Sequence, residues 1–171
     1  KILEDFQWNK RSGITQKQVA RLCQGDWVKQ GSNVVFYGGF GVGKTHIAIG
    51  IGKALCGLRM RVHFFSTHQL IELLLEAKNK LELASLFKRL ERFDLIICDE
   101  LGYLPQTQEG ADLFFQLISQ RNERKSLLIT TNLTYSEWGK VFLNPLSTQA
   151  AVDRIIHHCE TFNITGPSHR A

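Results

Sequence analysis

The sequence predicts an α/β protein, a parallel β-sheet with helices on both faces. Three observations carry that prediction. From residue 33 onward, short apolar runs alternate with helical patterns, as they do when parallel strands are joined by helical crossovers. A glycine-rich loop, GGFGVGKT, separates the first run from the first helix of this series. The third run, LIICDE, ends in two adjacent acids, Asp99 and Glu100, at a carboxyl strand end, where open α/β sheets bind ligands.

The elements follow in order. TQKQVARLC (15–23) reads as a short helix packed outside the sheet, and NVVFYG (33–38) as a buried strand ending at Tyr37. A helix begins near Lys44. Its apolar residues Ile47, Ala48, Ile51, Ala54 and Leu55 keep a helical period up to Gly57. RVHFF (61–65) is a second strand. STHQ (66–69) has the form of a capping box before the helix marked by Leu70, Leu73, Leu74 and Ala77. A further helix, at about 81–92, carries Leu83, Leu86, Phe87 and Leu90 on one face. The third strand is expected at 94–99. Ala111, Phe114, Phe115 and Ile118 mark another helix, and SLLITTN (126–132) a fourth strand. A helix around 147–158 leads to a fifth strand, TFNIT (161–165).

Composition bounds the function. The 171 residues suffice for one domain, with 1–32 expected as an N-terminal flanking segment and 33–171 as the core. No apolar run reaches the ~20 residues of a membrane span, and the first ten residues lack the apolar stretch of a signal peptide. The missing initiator methionine suggests a piece of a longer protein. The four cysteines form no CxxC pair, which suits free thiols in a reducing cytoplasm. His157 and His158 have no acidic or thiol partner at ligand spacing in the sequence, which argues against a metal site. The net charge of +5 permits a polyanionic partner without demanding one.

Gly38, Gly43, Lys44 and Thr45 satisfy G-x-x-x-x-G-K-[ST] between a strand and a helix. In such a loop, backbone N–H groups converge on phosphate oxygens and the helix N-terminus adds partial positive charge. Gly38, Gly39, Gly41, Val42 and Gly43, with Lys44, Thr45 and His46, form the expected cradle for ATP. Lys44 is expected at the β- and γ-phosphates, and the Thr45 hydroxyl on Mg²⁺. Asp99 is placed to hold Mg²⁺ directly or through water, and Glu100 to polarise an attacking water. Asn132, at the end of the fourth strand, is placed to sense the γ-phosphate or that water.

EDFQWN, GVGKTHIAIGIG, FDLIICDELGYLP, SEWGKVF and DRIIHH together resemble the IstB-like AAA+ ATPases, helpers of insertion-sequence transposition related to DnaC-type helicase loaders. The similarity runs over nearly the whole chain. It implies a three-layer P-loop NTPase of AAA+ (ASCE) type, with a five-stranded sheet in the order 5-1-4-3-2 and no C-terminal lid domain. It further implies an ATPase that assembles into a ring or helical oligomer on double-stranded DNA and activates a transposase. Arg154 in DRIIHH matches the family's arginine finger, which reaches a neighbouring subunit's γ-phosphate. The rival reading for Arg154 is a structural ion pair, and Arg121 and Arg124 are the next candidates for contacts between subunits. The GPSHR ending varies the family's pattern and leaves the role of Arg170 open.

Lys88, Arg89 and Arg92 repeat on the face opposite Leu83, Leu86, Phe87 and Leu90. A basic stripe is most often a solvated face. By resemblance, however, this two-helix segment is where initiator-type AAA+ proteins carry an insertion facing DNA. Lys78, Lys80, Lys88, Arg89 and Arg92 are therefore expected to contact DNA phosphates. A DnaC-like helicase loader is the nearest alternative function. A small-molecule kinase of the phosphate-loop type, and a nucleotide-dependent scaffold that does not hydrolyse, fit Glu100 less well.

Overall fold

The computed structural model describes residues 3–168; Arg170 lies outside them. Two single 3-10 turns, Leu3–Asp5 and Trp8–Lys10, precede α1 (Gln16–Leu22) and the one-turn α2 (Asp26–Lys29). Thr15 starts α1 with a reciprocal capping box: its hydroxyl accepts from the Gln18 N–H, and the Gln18 side chain accepts from the Thr15 N–H. Each arm satisfies an otherwise orphaned donor.

The core then alternates. β1 (Asn33–Tyr37) leads through the glycine loop to α3 (Lys44–Gly57), and β2 (Val62–Ser66) leads to α4 (Thr67–Asn79) and α5 (Leu83–Glu91). Next come β3 (Leu95–Leu101), α6 (Gln108–Arg121) and β4 (Ser126–Thr131). A 3-10 turn at Tyr135–Glu137, α7 (Gly139–Phe142), α8 (Pro145–Ile156) and β5 (Cys159–Asn163) complete it. At 66–69 the capping box is present as its forward arm, from the Gln69 N–H to Ser66 Oγ at 3.1 Å.

The five strands pair in parallel, in the order β2-β3-β4-β1-β5, the expected 5-1-4-3-2 read from the other edge. Side chains alternate between two cores, as the strand period requires. Val34, Phe36, Leu95, Ile97 and Leu128 face α3, α1 and α2. Val35, Ile96, Cys98, Leu127 and Ile129 face α4 to α8. Because β1, β3 and β4 are covered on both sides, their sequences read as unbroken apolar runs. Among the described residues, no helix is long and apolar enough to cross a membrane.

Three readings are corrected. The last helix and strand lie about two residues earlier than periodicity suggests. The Asn144 side chain accepts from the Leu146 and Ser147 N–H groups, and Pro145 opens the helix. The carbonyl of His158 then accepts from the Asn33 N–H at 2.7 Å, which sets β5 in register. The segment 133–144, for which the pattern predicts no element, buries Trp138 and Phe142 completely. Arg121 is no surface contact: it is 3% exposed and donates to the carbonyls of Leu90, Phe93 and Ser126. It ties the end of α5 to the start of β4. Burial pulls its pKa down to about 10.

Candidate nucleotide site

The cavity lies at the carboxyl ends of β1, β3 and β4 and measures about 410 Å³, with Gly41, Gly43, Lys44, Thr45, Glu100 and Asn132 in its walls. Backbone freedom shapes its floor. Gly43 adopts φ +105° at the start of α3, and a Cβ there would sit 2.4 Å from Phe6 Cε2. A Cβ on Gly38 would sit 2.1 Å from the Ile164 carbonyl oxygen. At these two positions the loop can therefore pass between the N-terminal segment and the end of the sheet only as glycine. Val42 buries its side chain in the core, so its expected part in the cradle falls to its backbone alone.

Lys44 Nζ donates to the carbonyls of Gly38 at 2.8 Å and Gly39 at 2.6 Å, which folds the ammonium over the loop. Thr45 Oγ1 donates to Asp99 Oδ1 at 2.8 Å. Thr130 Oγ1 donates to the same oxygen and itself accepts from the Glu100 N–H at 2.9 Å. Asp99 is 6% exposed, whereas Glu100 is exposed and lines the cavity.

In a regular strand these two acids would point to opposite faces. Here the β3–β4 register shifts between Cys98 and Leu101, and Glu100 takes φ +59°. A bulge of this kind re-aims a side chain. It lets Asp99 reach Thr45 while Glu100 turns into the cavity.

The structure brings together Gly41, Gly43, Lys44, Thr45, His46, Glu100 and Asn132 as cavity walls, with Asp99 behind Thr45. It does not bring Arg154 to them. That side chain donates to the Ala150 carbonyl and lies over the Phe115 ring at 5.3 Å, beside Asn33 and Leu127 at the amino ends of the strands. Among the described residues it forms no ion pair with Asp153 or any other acid. The basic residues of α4 and α5 also lie outside the cavity. Lys78 pairs with Glu109 at 2.8 Å and Lys80 with Glu76 at 2.7 Å. Lys88, Arg89 and Arg92 are exposed and in no ion pair among the described residues. Arg124 pairs with Glu91 at 2.6 Å.

Sequence reasoning missed Thr130, whose hydroxyl links both acids; a threonine inside an apolar strand gives no signal of such a role. It also missed the N-terminal wall, formed by Asp5, Phe6 and Gln7. Phe6 stands edge-on to His46 at 5.3 Å and to Trp8 at 4.6 Å, and an antiparallel bridge from Ser12 to Thr165 ties this segment down.

The model of the family described as IstB-like ATP binding protein matches residues 1–171. The chain belongs to this family. Among the relatives of this IstB-like chain, a protein of Sinorhizobium fredii named as an insertion sequence ATP-binding protein is 39% identical over 99% of the chain. Two others, named for the insertion sequences IS232 of Bacillus thuringiensis and IS21 of Pseudomonas aeruginosa, are each 38% identical over 99% of it. The IstB-like chain spans 57%, 68% and 64% of these three relatives' own lengths. Its fold is that of the DnaC helicase loader, with a TM-score of 0.75 at 20% identity over 87% of each chain. It is equally that of DnaI, with a TM-score of 0.74 at 20% identity over 99% of this chain and 90% of that one. The fold is the α/β P-loop fold of AAA+ type.

The donor set fits a nucleoside triphosphate with a hard divalent cation. The glycine loop and the start of α3 offer N–H groups, and Lys44 a cation. Thr45 and Asp99 offer hard oxygen ligands.

Proposed function

We propose that this chain is the ATPase module of an insertion-sequence transposition regulator. The arrangement around Asp99 carries the reading: Asp99 joins Thr45 to Thr130, Thr130 holds the Glu100 N–H, and Thr45, Thr130 and Glu100 share one cavity wall with Lys44 and Asn132. The loop and α3 bind the triphosphate, with Lys44 on the β- and γ-oxygens. Thr45 and Asp99 hold Mg²⁺, which when bound neutralises charge on the phosphates. Glu100 accepts a proton from water as its oxygen attacks the γ-phosphorus and the bond to the ADP oxygen breaks. Asn132 orients the γ-phosphate or the water.

Arg154 lies too far from its own cavity to serve it, which supports a role at a neighbouring subunit's site in a ring or helical assembly. Lys88, Arg89 and Arg92 offer that assembly a grip on double-stranded DNA, and nucleotide turnover times contact with a transposase. Likeness to helicase loaders in fold supports a loader as the second reading; the family and the names of the relatives favour transposition.

The test uses three variants. Lys44→Ala should abolish tight ATP binding in calorimetry while the circular dichroism spectrum stays native. Glu100→Gln should bind ATP and fail to turn it over, since an amide cannot take the proton. Normal steady-state hydrolysis by Glu100→Gln would remove this residue from the mechanism. Mixing Arg154→Ala with Glu100→Gln subunits should restore part of the turnover, and no recovery in proven mixed assemblies would refute action between subunits.

A further inference from the structure

At the pole opposite the cavity, three metal-ligating side chains meet. Glu123 comes from the turn between α6 and β4, and His157 and His158 from the end of α8. One ligand atom of each lies within 4.8 Å of the others. His157 Nε2 stands 3.2 Å from Glu123 Oε1, and the two imidazole centroids are 4.4 Å apart. The sequence suggested no acidic partner for these histidines, because Glu123 is more than thirty positions away; tertiary structure supplies it.

The convergence has a physical cause. Consecutive side chains on a helix diverge by about 100°. Here α8 stops at Ile156, and the chain turns at His158, whose carbonyl is held by the Asn33 N–H at 2.7 Å. Both rings therefore lie on one side. Glu123 sits in a tight turn at φ +60°, packed against Gly31, where a Cβ would meet its carbonyl at 3.1 Å. Backbone contacts thus hold Glu123 and His158 in place, while the side chains of His157 and Glu123, paired with each other, are 59% and 57% exposed. Cys159, next in the chain, turns its thiol the other way, toward Tyr135 and Thr161.

We propose that Glu123, His157 and His158 form a binding site for a divalent cation of the zinc class, with its remaining position open to water. Two imidazole nitrogens and one carboxylate oxygen are a borderline donor set that suits zinc and its neighbours rather than magnesium or calcium. Tetrahedral coordination at about 2.0–2.2 Å needs ligand atoms about 3.4 Å apart. The Glu123–His157 pair meets that distance already, and His158 needs a rotation of its exposed ring.

The test is a Zn²⁺ titration against a chelating dye, with Co²⁺ as a spectroscopic probe. It uses the chain without a histidine tag and with Cys56→Ser, which removes an exposed competing thiol. One Zn²⁺ per chain should bind, and Co²⁺ should give the visible bands of a low-coordinate nitrogen–oxygen site. Glu123→Gln and His158→Asn should each weaken Zn²⁺ binding on the order of tenfold or more, with the far-ultraviolet circular dichroism unchanged. Absence of saturable binding, or equal Zn²⁺ affinity in natively folded variants, would overturn the site.

Discussion

Thr130→Val keeps the size and branching of a side chain that is 1% exposed and removes only its hydroxyl. That hydroxyl makes two bonds, one given to Asp99 Oδ1 and one received from the Glu100 N–H at 2.9 Å. A hydrogen bond to a charged group contributes about 1.5–3 kcal/mol, and a donor left without its partner costs about 1–3 kcal/mol. Since the Glu100 residue is exposed and water can reach part of this site, the lower half of that sum applies, about 2.5–4 kcal/mol. For a chain of this size that is a fall in melting temperature of roughly 5–16 °C. Turnover should fall by a larger factor than ATP affinity, because the hydroxyl anchors the bulge that aims Glu100 while Lys44 and the loop are untouched. Thr130→Ser, which keeps the hydroxyl, should retain most turnover. Thermal melts, ATP calorimetry and steady-state hydrolysis would be measured together. Unchanged melting and unchanged turnover in Thr130→Val would refute the idea that this threonine positions the acids.

Further outcomes follow from other contacts. Arg121→Ala should destabilise the fold by about 3–5 kcal/mol in urea unfolding, since three carbonyls lose their donor and a buried volume empties; a near-neutral change would contradict its role as a tie between α5 and β4. At Asp94, burial opposes ionisation, yet the Arg61 N–H and Lys125 outweigh it and hold the pKa below the ordinary value. A depressed carboxylate pKa stabilises the fold above the unfolded value of about 3.9 and loses that effect as pH falls through the lower folded value. Asp94→Asn should therefore be less stable than the parent at pH 7, and the gap should close in acid; a gap that persists at pH 2 would assign the effect to packing. Replacing Lys88, Arg89 and Arg92 with Ala should flatten the salt dependence of DNA binding by up to ~3 units, one for each phosphate no longer neutralised, while ATP affinity stays the same. An unchanged slope would make the stripe a solvated face.

Much of this protein is legible in one dimension because its signals are local. A buried strand needs an apolar run, an amphipathic helix a 3.6-residue period, and a phosphate loop glycines beside a lysine. These requirements are met within a few residues, so residue type and spacing alone single out Lys44, Thr45, Asp99, Glu100 and Asn132. The amphipathic split of α5, with Leu86, Phe87 and Leu90 buried and Lys88 and Arg89 exposed, is readable for the same reason. Tertiary structure alone decided what depends on contacts between distant segments. The β5 register rests on a hydrogen bond between Asn33 and His158, and Arg121 is buried because three carbonyls from α5, its following turn and β4 converge on it. Phe6 walls the cavity because Gly43, far along the chain, has no side chain to exclude it. Glu100 faces the cavity while Asp99 stays on Thr45 only because β3 bulges against β4. Residue type and spacing cannot encode such a bulge, since it is a property of how two strands pair.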